Sequence, residues 1–107
     1  MITVEFNPNK YKLKVSGHAC SAEEGHDLVC ASVSILFYTL AMAIDASEGI
    51  CRKDSIKKKV LKGASSIECK PLADYEVVIQ RTFWSILFGF EALAKDYPEY
   101  VCFKVVG

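Results

Sequence analysis

The 107-residue sequence predicts an α/β fold: a two-layer sandwich of two helices on a mostly antiparallel sheet of four to five strands, in the order ββα-β(β)-αβ. Three observations carry this expectation. Polar and apolar residues alternate in two short runs at the start of the chain and again at its end, as half-buried strands require. A long stretch without a single charge follows the first two runs. A second apolar stretch with one polar stripe stands before the last run.

Residues 2–6 and 11–17 alternate, and Asn7-Pro8-Asn9 between them is a turn signal, so the chain opens on a β-hairpin. Residues 17–26 are small and polar with glycines at both ends, which predicts a mobile loop. Asp27 stands at the N-cap position, where a carboxylate accepts from the backbone N–H groups of the first turn. A helix is expected from Leu28 to Ala46, stopped by Gly49. It is apolar nearly all round, so one face must meet something besides its own sheet, and self-association through that face is expected. Residues 57–62 and 66–70 are weaker strands around Gly63-Ala64-Ser65, and residues 75–79 a better one. A second helix over 83–94 ends before Pro98, with Phe83, Trp84, Phe88 and Phe90 as core. Residues 101–106 close the sheet.

Composition bounds the rest. The chain is 51% hydrophobic and 24% charged, which suits one domain over residues 1–107 that needs no disulfide or metal to fold. Thirteen basic residues balance thirteen acidic ones, so no global field draws it to nucleic acid or to an anionic membrane. Its first residues lack the pattern of a signal peptide. The five cysteines, an odd number without a CxxC pair, fit thiols in a reducing cytoplasm. Residues 28–44 are as long as a short bilayer span, but the flanking Asp27 and Asp45, the hydroxyls within and the lack of nearby basic residues favour a buried helix in a soluble protein.

The chemistry concentrates between Gly17 and Ser34. With Asp27 as cap, Cys30 is the third helical residue, and its sulfur leans over the unpaired N–H groups of the first turn. The positive end of the helix dipole favours a thiolate there, the nucleophilic form; Asp27 opposes it by like-charge repulsion. A nucleophilic thiol needs an imidazole to take its proton and return it to the leaving amine. His18, after the second strand, is the favoured base, and His26, just before the cap, its rival. The same region also offers His18, Cys20, His26 and Cys30 as zinc ligands, in a spacing that matches no common pattern. Arg52, Lys53, Lys57, Lys58, Lys59 and Lys62 form a basic run that reads as a solvated face or as an RNA contact. The latter would suit a non-enzymatic binding module, though no aromatic interleaving supports a single-strand groove.

Gly17-His18-Ala19 followed by Gly25-His26-Asp27-Leu28-Val29-Cys30-Ala31, with Ser34 one turn on, resembles the signature of the ribosomal-processing cysteine protease family Prp. The opening Met1-Ile2-Thr3-Val4 and the late Asp96-Tyr97-Pro98-Glu99-Tyr100 resemble it too. The resemblance implies a cytoplasmic, homodimeric bacterial endopeptidase that removes the N-terminal extension of a large-subunit ribosomal protein, cut beside an aromatic residue. It implies His18 as general base and acid and Cys30 as nucleophile, with Asp27, Gly17, Gly25 and Ser34 in support. The expected partners are the ribosomal-protein precursor and a second copy of the chain. No cofactor, metal or membrane is expected, and no direct nucleic acid is required. Cys20, in the loop, is close enough in sequence to trap Cys30 as a disulfide.

Overall fold

The computed structural model describes residues 1–17 and 26–107, with His26 and Asp27 described by their backbone. Five strands form one sheet: β1 (Ile2–Asn7), β2 (Lys12–Ser16), β3 (Lys57–Leu61), β4 (Ala64–Glu68) and β5 (Val101–Val105). Their spatial order is β3-β4-β2-β1-β5. Helix α1 (His26–Ala46) links β2 to β3, and helix α2 (Glu76–Asp96) links β4 to β5. The predicted two-layer sandwich is therefore observed. Its sheet is mixed, because β5 runs parallel to β1 while the other pairings are antiparallel.

Strand alternation sets the two faces of the sheet. On one face Phe6, Leu13 and Ile67 lie in one cross-strand row, all fully buried. Both helices close over that face. Val29, Val33, Phe37, Leu40 and Ile44 of α1 recur at helical spacing and are buried. Ile79, Phe83, Leu87 and Phe90 do the same for α2. Phe6 meets the Phe83 ring at a 5.1 Å centroid separation and Trp84 edge-on at 5.7 Å. Where the helices meet, a Cβ at Gly89 would press on a Leu36 methyl at 2.7 Å, so the missing side chain permits the close approach.

Four expectations are corrected. Residues 75–79 are no strand. A short 3-10 turn (Ala73–Tyr75) leads straight into α2 at Glu76. The β-branched run favours a strand locally, but Ile79 joins a stripe of 3.6-residue period with Phe83 and Leu87, and the burial along that stripe prevails over propensity. Phe88 is 62% exposed, outside the core, and lies against Trp84. Gly49 does not stop α1 in a left-handed conformation; it sits in a second 3-10 turn (Glu48–Ile50). Helix α1 begins at His26, two residues earlier than expected, so Asp27 stands within the first turn and Cys30 is the fifth helical residue rather than the third.

By length and composition α1 and α2 are both apolar enough to cross a bilayer. Each nevertheless turns one stripe into the sheet core. The outward side of α1 carries Leu28, Ile35 and Met42 at seven-residue spacing, and all three are exposed.

Candidate active site

The site is built where α1 passes over the β3–β4 end of the sheet. An open cleft of about 330 Å³ lies there. One wall is the side of α1 that carries Cys30, Ser34 and Tyr38; these residues are spaced four apart and share a face. The facing wall is the β3–β4 hairpin, with Val60, Leu61 and Lys62 at its rim. Ile2, Val15 and Gly17 complete the lining.

Backbone geometry fixes this end of the sheet. The Gly17 N–H donates to the Gly63 carbonyl at 3.0 Å, tying the end of β2 to the hairpin turn. Both residues have positive φ, +98° at Gly17 and +77° at Gly63, a region that glycine alone enters without strain. At Gly17 space forbids a side chain as well, since a Cβ would collide with the Met1 carbonyl oxygen. The Ile2 N–H, donating to the Tyr100 carbonyl at 2.7 Å, locks the adjacent start of β1.

Cys30 is half-buried in the cleft wall. The helix turn just before it carries the N–H groups that have no intrahelical acceptor. Its side chain leans back toward that turn, as helical side chains do. Starting the helix earlier therefore moves Cys30 further in without taking it away from the positive end. Ser34 behaves differently from the other hydroxyls of α1. Ser32 Oγ donates to the Leu28 carbonyl at 2.8 Å and Thr39 Oγ1 to that of Ile35 at 2.6 Å. Ser34 makes no hydrogen bond among the described residues, and it lines the cleft.

The structure thus brings together Gly17, Cys30 and Ser34 of the predicted site. His18, Cys20 and Gly25 lie outside the described residues, as do the side chains of His26 and Asp27. Among the described residues no group of three or more His, Cys, Asp or Glu could hold a metal ion. Tyr38, Val60 and Leu61 were not singled out from the sequence, and Lys62 was read only as part of the basic run at 52–62. Exposed apolar residues at a strand end have the same local pattern as core ones, and only the fold shows that they rim a cleft.

Two other cysteines are far from reactive. Cys51 and Cys69 are buried together beside a short bridge between Cys51 and Pro71. Burial, reinforced by neighbouring Cys51, pushes the Cys69 thiol up to about 12. It stays protonated at any physiological pH.

Residues 1–102 match the family described as cysteine protease Prp. The chain belongs to the cysteine protease Prp family. Among Prp proteins it is 24% identical over 101 residues to the ribosomal processing cysteine protease Prp of Mycoplasma pneumoniae, covering 94% of this chain and 93% of that one. The crystal structure of SMU.848 from Streptococcus mutans superposes with a TM-score of 0.69 at 27% identity, over 98% of this chain and 91% of that one. The essential ribosomal processing protease Prp from S. aureus, in complex with a substrate peptide, superposes with a TM-score of 0.76 at 21% identity, over 99% of this chain and all of the other. The non-enzymatic reading of the sequence is thereby set aside: the Prp domain is a cysteine protease.

Proposed function

We propose that this protease removes the N-terminal extension of a bacterial large-subunit ribosomal protein, with Cys30 as nucleophile and His18 as general base and acid. The observation that carries the assignment is Cys30 itself, half-buried in the wall of an open cleft and one turn inside the start of α1. The Mycoplasma pneumoniae relative is a ribosomal processing protease, and the S. aureus relative has also been crystallised with a covalently linked product peptide. Both support the reading.

The substrate chain lies in the cleft, its apolar side chains against Tyr38, Val60 and Leu61. His18 takes the Cys30 proton, and the thiolate attacks the scissile carbonyl to give a tetrahedral intermediate. N–H groups of the first turn of α1 stabilise its oxyanion, a role worth about 2.7–4 kcal/mol per donor. The C–N bond breaks as His18 returns the proton to the leaving amine, which leaves a thioester on Cys30. Water, deprotonated by His18, hydrolyses the thioester to the carboxylate product and restores the thiol. Asp27, within the first turn, favours the positive end of the helix and so the placement of Cys30. Ser34 offers its hydroxyl to the substrate backbone.

The enzyme acts in the cytoplasm as a homodimer, paired through the Leu28, Ile35 and Met42 stripe. The test is cleavage of a precursor bearing its extension, followed by mass spectrometry. Cys30→Ala should abolish cleavage with an unchanged circular dichroism spectrum, and His18→Ala should lower the rate by at least 100-fold. Full cleavage by Cys30→Ala would overturn the assignment.

A further inference from the structure

The face of the sheet turned away from the helices is a lysine lattice, although the whole chain is neutral. Cross-strand register puts Lys104, Glu5, Lys14, Ser66 and Lys59 in a single row across all five strands. The next row on the same face holds Lys12, Glu68 and Lys57. Five lysines therefore share this face with two glutamates. The glutamates are already engaged, Glu5 with Lys104 at 3.6 Å and Glu68 with Lys12 at 3.9 Å. Lys14, Lys57 and Lys59 make no ion pair among the described residues. Lys58, the remaining lysine of β3, faces the helix layer and pairs with Asp45 at 3.0 Å.

The face is also shaped. Lys12, Lys14 and Lys59 converge with Ser66 on a depression of about 220 Å³. Lys14 and Lys59 flank Ser66, so their backbones are two strand spacings, about 10 Å, apart. No aromatic side chain belongs to these rows, so bases have no platform on which to stack. No apolar side chain stands in them either, which disfavours insertion into a lipid surface. What these two rows offer is an array of ammonium groups in excess of their carboxylates, the complement of a regular phosphate backbone.

We infer that this lysine face docks on the phosphate backbone of a structured RNA, holding the protease there while its cleft, on the other layer, works on the protein substrate. The choice of RNA over other phosphate polymers rests on the ribosomal-protein substrate proposed above. The neutral total charge concealed the face in the sequence, because the acidic residues gather elsewhere and the basic run at 52–62 is split between several surfaces.

The test is binding of a fluorescent RNA hairpin by the full chain, by anisotropy from 50 to 200 mM salt, with cleavage of the precursor followed in the same samples. Three neutralised phosphates predict a slope of log Kobs against log salt of about −3, or a loss of roughly 60-fold over that range. Lys14→Glu combined with Lys59→Glu should abolish the salt-dependent binding and leave cleavage of a free peptide unchanged. Lys14→Arg with Lys59→Arg should restore it, which separates charge from fold. Absent binding at 50 mM salt, or binding indifferent to the glutamate pair, would overturn the proposal. So would equal affinity for duplex DNA or for anionic phospholipid vesicles. Failure of the wild type to cleave the precursor would count against the proposed substrate, while the RNA-binding arm would still decide the role of the lysine face.

Discussion

Single residues set the geometry of the cleft. Gly17 combines a φ of +98° with a contact that leaves no room for a Cβ. Gly17→Ala should cost about 1–3 kcal/mol, seen as a lower melting temperature, and should depress cleavage because His18 follows it in the chain. Gly49→Ala is the control, since a Cβ there meets nothing within 4 Å; an equal effect from both would show that Gly17 has no special role. The place of Cys30 near the start of a helix was legible from the sequence, because a long apolar run after a polar segment marks where the helix begins. The residues of the facing wall were not, since nothing local distinguishes Leu61 at a cleft rim from Leu13 in the core.

At the scale of elements, burial periodicity proves more informative than propensity. The reading of residues 75–79 as a strand failed because Val77, Val78 and Ile79 favour strand locally while Ile79 alone of the three is buried, in step with Phe83 and Leu87. The first strand was legible because polar and apolar residues alternate there in step with burial. The start of α1 was displaced by two residues, within the fraying typical of helix ends. The outward stripe of α1 carries the next prediction. Light scattering at micromolar concentration should give twice the chain mass, and Ile35→Glu should give the monomer. A monomeric wild-type protein would contradict pairing through this helix.

Across the whole molecule, stability should depend on alkaline pH through the buried Cys69 thiol. Cys69 titrates near its ordinary value of 9.0 in the unfolded chain and at about 12 in the folded one. Between those values the unfolded state has given up a proton that the folded state keeps, so stability is fully present below pH 9 and falls as the pH rises toward 12. The urea midpoint of Cys69→Ala should decline less steeply over that window than that of the wild type, and parallel declines would contradict the account. The overall architecture was readable as a layered α/β sandwich because the helices and most strands carry their own periodicity. The parallel β1–β5 pairing was not, since register between chain ends leaves no local mark. A nucleophilic Cys30 served by His18 can be read from iodoacetamide labelling across pH, resolved by peptide mass spectrometry, in wild type and His18→Ala. Among the cysteines of the described residues, exposure alone would make Cys102 the fastest, because it is exposed and Cys30 half-buried. Cys30 should label faster than Cys102, with an apparent pKa below that of an ordinary thiol, and His18→Ala should slow it. Labelling of Cys30 at or below the rate of Cys102 in both proteins would contradict this role.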